Sequence, residues 1–560
     1  MSFSDVGMRK TINIPSRSVN QKAGLAIQLV VAAAGISALF FLLTSGIPLA
    51  QAGLIPEVTK KIALKTMRIS LAVFSLLMAA CRWRMSAQDF EKLWPVVLTM
   101  KILKVPLPAL LLFFYLAYSF TLIIVNLTCD AALGTRAFDL GIFAQAIWNT
   151  LQGDFLYSSI KGGICLLGDH VSPLLALISP VYALWPDSRS LIVLQVLISA
   201  ACIFFIGALA KEKLKDPFAV LVMVLVYCFY LSTRNALHED FHPEVLAEPL
   251  MFAAFLFLEK RRFGLCSLCL ILIAMAKENM LGVTFILGAY GLFFKKAGHW
   301  GGLVMGLSAL VFWLDLHWVV PYFSRQRYFY GGFFSHLSSP AGMLGPFLNP
   351  DTYEYLFKIF GPFLFFPFFY FPTLFLTFPI FLQNVLSRSE LTRSFGFHYT
   401  VGLTPFVFIA AIYGWTAAGR RFPWIQKHMK ALACSILFIS LTHSGPSEYY
   451  SFWQNYERLS DHRRMIRQKL AAIPPGYSVL THNSFIPHLV NRRQVHMFAY
   501  PRTPAKLEQA RDLDVDYVIF DEEFWEMPSW ATPDQVAAGL LAAGFLKDYQ
   551  QGTFYIFKRA

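Results

Sequence analysis

Long apolar runs, each followed by a short polar piece, recur from the N-terminal region to about residue 442, and they restrict the chain to a fold built in lipid. They fall near 24–46, 62–81, 106–127, 188–209, 217–231, 247–259, 263–276, 279–294, 299–320, 356–370, 371–385, 399–416 and 430–442, which gives about 13 candidate helices. Of the 560 residues 56% are hydrophobic and only 15% charged, more apolar surface than a soluble domain of this size needs. The fold class expected is a polytopic α-helical membrane protein. Several runs are shorter than the ~20 residues of a perpendicular span, so short, paired or tilted helices are expected.

The formal charge of +14 does not point to nucleic acid, because no basic groove interleaved with stacking aromatics is present. The basic residues sit instead in short connections: Lys211, Lys213 and Lys215; Lys260, Arg261 and Arg262; Lys295 and Lys296; Arg420 and Arg421. This is the positive-inside pattern, and it places those connections and the N-terminus in the cytoplasm. An odd helix count then puts the C-terminal segment outside. Lys60, Lys61, Lys65 and Arg68 load the wrong end of the second run, so that run is expected to lie along the interface. Arg9, Lys10, Arg17 and Lys22 precede the first run, which has no clear cleavage site and is expected to stay as a helix. Most cysteines lie inside apolar runs as small fillers, whereas Cys129 and Cys165 share one external loop and could pair.

Three regions follow. Residues 1–104 form an accessory hydrophobic hairpin and interfacial segment, and 105–442 form the core, with a large external loop at 128–187. From 443 to 560 charges become frequent, and strand-like runs at Tyr477–Leu480, Gln494–Phe498, Tyr517–Phe520 and Thr553–Phe557 alternate with helical stretches, the first of them Ser447 to Ile473. This is a soluble, extracytoplasmic α/β domain of roughly 115 residues.

Four polar clusters fall at the expected outer face. The loop 128–187 carries Asp130, Arg136, Asp139, Asp154, Lys161, Asp169 and His170. Asp139 could cap a helix running to about Gln152, with Phe143, Ile147 and Leu151 on one apolar face lying on the membrane, and capping alone would account for an aspartate there. The second cluster, Arg234 to Glu244, holds His238-Glu239-Asp240-Phe241-His242, the pattern of zinc proteases. That mechanism needs a continuous helix, which Pro243 disfavours, so a substrate- or phosphate-contacting loop is expected instead. Lys277-Glu278-Asn279 is the third cluster, an ionisable pair between apolar runs that either faces a partner or closes on itself. Asp315 and His317, followed by Arg325 and Arg327, form the fourth, with Arg388, Arg393, His398 and Tyr399 on the same side. Carboxylates beside cations suit transfer from a lipid-linked phosphate, where cations stabilise the leaving group and a carboxylate takes a proton from the acceptor hydroxyl. They also suit a transporter of an anionic solute. Nucleotide-binding glycine loops are absent.

The stretches Phe138-Asp139-Leu140-Gly141-Ile142-Phe143-x-Gln145-Ala146-x-Trp148, Gly168-Asp169-His170-Val171-Ser172-Pro173, Phe241-His242-Pro243-Glu244, Lys277-Glu278-Asn279 and His398-Tyr399 occur in that order. Pro487-His488-Leu489 and Arg492-Arg493 follow them. Together they resemble the bacterial and archaeal membrane-protein family catalogued as domain of unknown function twenty seventy-nine, over roughly 105–560. That family in turn resembles the C-type glycosyltransferases, which use polyprenyl-phosphate-linked sugars and keep an essential acid in the first large external loop. The resemblance implies a multi-pass protein of the cell membrane. It implies sugar transfer from a polyprenyl-phosphate donor to an acceptor whose identity the sequence does not give, with Asp139 as general base. Arg136, Arg234, Lys277, Arg325 and Arg327 are the expected phosphate contacts. Glu278 and Asp315 are further substrate-site candidates, and His238, His242 and Glu244 would shape the site or bind a divalent ion. Where the family often has Lys-Glu-Asp this chain has Asn279, and the paired acids of many glycosyltransferases are replaced by Asp139-Leu140. The competing readings are a transporter or flippase of a lipid-linked or anionic solute and, more distantly, an intramembrane zinc protease.

Overall fold

A computed structural model describes residues 105–444, 447–498, 515–524 and 532–560. The expectations for the N-terminal hairpin and its basic residues lie outside them. The chain divides into two compact units, 1–106 with 430–445, and 107–429 with 446–560. Of the first, the described part is residues 105–106 and 430–444, the latter within the helix Met429–Ser444. Everything below concerns the second.

Five of its helices are long and apolar enough to cross a membrane: Leu107–Ala131, Ser188–Leu214, Pro217–His238, Gly298–Ser324 and His398–Arg421. Their ends are written in the sequence. Asp187 accepts a hydrogen bond from the Arg189 N–H and opens the second span, and Asp216 with Pro217 opens the third by accepting from the Ala219 N–H. Lys211 and Lys213 sit in the last turn of the second span, where the helix dipole favours cations. The Gly298–Ser324 span leaves most of its apolar side chains uncovered, Leu303, Leu310, Trp313 and Trp318 among them, as a lipid-facing helix does. Shorter apolar helices, Leu174–Leu184, Phe263–Ala274, Met280–Phe294 and Phe371–Leu386, complete the set.

The run at 356–370 is not a span. An amphipathic helix, Pro350–Phe360, gives way to single turns at Gly361–Phe363 and Phe366–Phe369, with Leu364 and Phe365 in the left-handed region. Pro362, Pro367 and Pro372 recur too often for an uninterrupted helix. The helix expected from Ser447 to Ile473 is two, Ser447–Glu457 and Asp461–Ala471, the second capped by the Ser460 hydroxyl.

The loop 132–187 contains a two-stranded hairpin, β1 (Tyr157–Ser158) and β2 (Ile164–Cys165), turned by Gly162 and Gly163 at positive φ. Beyond residue 470 the chain forms a five-stranded sheet of β3 (Val479–Thr481), β4 (Val495–Met497), β5 (Tyr517–Asp521), β6 (Phe545–Gln551) and β7 (Phe554–Arg559), in the order β4-β3-β5-β7-β6. β4, β3 and β5 run parallel, while β7 pairs antiparallel with both β5 and β6. Leu480, Val518, Phe520 and Phe557 pack with Val536 and Leu540 of the helix Pro533–Ala542 to form its core. The edge strand β6 carries no sequence signal because most of its side chains are exposed.

Candidate functional site

The helix after Asp139 begins at Ile142, with Gly141 as its N-cap and no side-chain cap, so Asp139 does not cap it. Asp139 has φ 66° and ψ −81°, close to the rare γ-turn geometry that strains any residue with a Cβ. Its side chain is 37% exposed. The helix is also not a membrane-surface helix, since Phe143, Ala144, Gln145, Ala146 and Ile147 are all buried and Leu151 is exposed. Gln145 explains the burial. Its amide donates to Ser159 Oγ at 2.8 Å and to the Arg492 and Arg493 carbonyls at 3.2 Å, and its carbonyl oxygen accepts from Ser158 Oγ and Ser159 N. Asn483 Oδ1 accepts from the Ala137 N–H at 2.8 Å, and a Cβ on Gly141 would lie 3.0 Å from Ile486 Cγ2. The C-terminal part of the chain therefore clamps the Asp139 turn. Arg492 is part of the clamp's frame: its guanidinium donates to the Leu489 and Tyr477 carbonyls at 2.7 and 3.0 Å.

The other polar clusters meet this turn. His242 Nδ1 lies 4.0 Å from Asp139 Oδ1, and the His242 ring stacks on His398 with centroids 3.6 Å apart. His398 holds Glu239 twice, through its backbone N–H at 2.7 Å and its Nδ1 at 2.9 Å. Behind them Lys277 Nζ is 2.9 Å from Glu244 Oε1. Glu278 accepts from the Val171 N–H at 3.0 Å and the Tyr328 hydroxyl at 2.7 Å, with His170 Nδ1 2.8 Å away. Thus Lys277 and Glu278 do not close on each other; each reaches a different segment. Gly168 precedes this contact because a Cβ there would come 2.6 Å from the Ser324 backbone nitrogen.

Several of these groups border a cavity of about 1410 Å³, larger than the ~300–1,000 Å³ typical of small-ligand sites. Arg136, Asp139, His238, Glu239, Lys277, Glu278 and His398 are among its polar lining, and Phe285, Phe312, Leu316, Phe333 and Phe334 among its apolar lining. Of the residues expected from sequence, Arg234 is fully buried, and His242, Glu244 and Asp315 are buried too; none of the four borders the cavity. Arg325 and Arg327 are exposed and also lie off it. Glu239, Asp240, His170, Tyr328 and Tyr330 line it, with contacts that sequence spacing alone did not assign. The zinc-protease geometry is not formed: the helix Leu231–His238 ends at the first histidine, His242 is extended, and His238 Nδ1 faces Asn126 Oδ1 at 3.0 Å. The set His238, His242 and Glu244 is thereby split as a metal site. Cys129 and Cys165 are free thiols.

Burial and charge pull the acids in opposite directions. Burial pushes the Glu239 carboxyl up to about 7, against the pull of His242. Burial raises Asp240 as well, with Asp139 adding to it. At Glu244 burial is outweighed by Lys277 and the two stacked histidines, which hold the carboxyl below its usual range. At Glu278 burial is outweighed by His170, Lys277 and the Tyr328 hydroxyl, and the carboxyl falls to about 2. Lys277 is held above the ordinary lysine range because Glu244 and Glu278 outweigh its burial. Burial, and then His398, lower His242 to about 4. Of these groups Glu239, Asp240, Lys277 and Glu278 line the cavity, which makes it the candidate site.

The fold and cavity define a multi-pass α-helical membrane protein with a small C-terminal sheet clamped onto its first large loop. The chain belongs to the predicted membrane protein family DUF2079, whose model matches residues 131–538. Among solved structures it is similar to ArnT from Cupriavidus metallidurans, crystallised with undecaprenyl phosphate, at 12% identity and a TM-score of 0.49 over 80% of this chain and 97% of that one. No curated protein matches it.

Proposed function

We propose that the protein transfers a sugar from a polyprenyl-phosphate donor to an acceptor hydroxyl at the extracytoplasmic face. The observation that carries this reading is Asp139, a strained, part-exposed carboxylate that does not cap the helix after it and lines a cavity with both polar and apolar lining. Strain of ~1–3 kcal/mol persists only where surrounding structure enforces it, and here the C-terminal clamp does so. The apolar lining suits isoprene units and the polar lining suits a sugar phosphate. In the reaction the acceptor oxygen attacks the anomeric carbon and the bond from that carbon to the phosphate oxygen breaks. Asp139 takes the hydroxyl proton, and the polyprenyl phosphate leaves carrying the electron pair. Arg136, which borders the cavity, is the arginine assigned to the leaving phosphate in place of Arg234, Arg325 and Arg327. Lys277 also borders the cavity but is already paired with Glu244.

The test is reconstitution of the purified chain in liposomes with radiolabelled polyprenyl-phosphate sugars and a membrane extract as acceptor. Release of polyprenyl phosphate with formation of a new glycosidic bond is expected. Passage of label across the bilayer with the donor intact would instead establish the transporter.

A further inference from the structure

We infer that Glu239, His242 and His398 form a binding site for a first-row divalent transition-metal ion at the edge of the cavity. One ligand atom from each, an imidazole nitrogen or a carboxylate oxygen, lies within 4.8 Å of the other two, and because the two rings stack with centroids 3.6 Å apart, one imidazole turns out of the stack when an ion binds. Two of the three border the cavity, so an oxygen of a bound molecule can complete the coordination. The second observation is His242 Nε2. The residue is 1% exposed, this nitrogen makes no hydrogen bond among the described residues, and Glu239 Oε2 stands 3.6 Å from it, beyond hydrogen-bond reach. A buried imidazole nitrogen left without a hydrogen bond is costly, and coordination removes that cost. On the other edge of the ring, Nδ1 lies 4.0 Å from Asp139 Oδ1.

Charge argues the same way. Lys277, one of the two lysine and arginine residues that border the cavity, is paired with Glu244, so an entering phosphate meets Arg136 and gains from a further cation. Two imidazoles with one carboxylate favour zinc, cobalt, iron or manganese over magnesium and calcium, which prefer all-oxygen shells. The role of the ion, stabilising charge on the departing phosphate, rests on the sugar-transfer reading; its binding does not.

Metal binding is measured on the purified full-length protein in detergent, stripped with chelator and titrated separately with zinc, cobalt and manganese chlorides. One ion per chain by elemental analysis is expected, with ligand-field bands for cobalt. Glu239→Gln and His398→Ala should each weaken binding at least tenfold, and zinc should raise the unfolding temperature of the parent but not of the variants. If the variants fail to fold, the parent titration still decides. No stoichiometric ion in the folded parent, or unchanged binding in folded variants, overturns the site. Neither readout needs sugar transfer, so loss of the metal site leaves that reading standing, and a protein without transfer activity can still bind the ion.

Discussion

Replacing Glu278 by Gln removes one charge from the most fully satisfied carboxylate of the site. Glu278 is 2% exposed and its two oxygens serve the Val171 N–H, the Tyr328 hydroxyl and His170. Glutamine keeps one acceptor oxygen and replaces the other with an N–H₂, which cannot accept from the donors that oxygen served. The carboxyl sits at about 2 in the folded chain, against an ordinary 4.5. A tenfold change in proton affinity is worth ~1.4 kcal/mol, so the ionised form contributes about 3 kcal/mol near neutral pH. The sign follows from a depressed folded value: the contribution is complete above pH 4.5 and is lost as pH falls toward 2. Thermal unfolding in detergent, followed by tryptophan fluorescence between pH 3 and 7, should show the variant less stable at pH 7. The gap to the parent should narrow as pH drops below 4.5. A gap that is absent at pH 7, or constant down to pH 3, would show that this carboxylate is not held ionised by its partners.

Other outcomes follow from the same contacts. Asp139→Gly relieves the positive φ and should raise stability by ~1 kcal/mol while removing sugar transfer, a pairing of effects seen by unfolding and transfer assays on one preparation. Gln145→Leu strips partners from buried Ser159 and from the Arg492 and Arg493 carbonyls, costing ~2–4 kcal/mol, and should speed hydrogen exchange in β4. Gly168→Ala drives a Cβ against the Ser324 backbone and should cost ~1–3 kcal/mol by overpacking, measured as a lower unfolding temperature. Lys277→Met leaves Glu244 buried without its cation, a loss of ~3–5 kcal/mol that Glu244→Gln in the same chain should largely restore.

The spans were legible because lipid demands length and apolarity together, and both are visible in one dimension. The run at 356–370 misled because its composition is apolar while its prolines, read locally, forbid one helix. Asp139 was found by position, yet its strained turn was not, since an aspartate before an amphipathic run has the same pattern whether it caps or not. His242 and Glu239 were visible as a motif, but their partner His398 is 159 residues beyond Glu239, and no local period links them. The arginines at 234, 325 and 327 show why charge alone is a weak guide. One is buried inside a helix and two are exposed and lie off the cavity, and placement is set by tertiary packing. Two of the family stretches now have a physical reading: Gln145 and Arg492, with Asn483 from outside them, build the clamp that holds one turn at the cavity.

The most direct test of the account is Asp139→Asn in reconstituted membranes, with the rate of glycosidic bond formation measured beside retention of the polyprenyl-phosphate donor. Asparagine keeps the shape of the turn and removes the proton acceptor, so transfer should fall ~10²–10⁴-fold with donor retention unchanged. Transfer at the parental rate would contradict the assignment of Asp139 as the base.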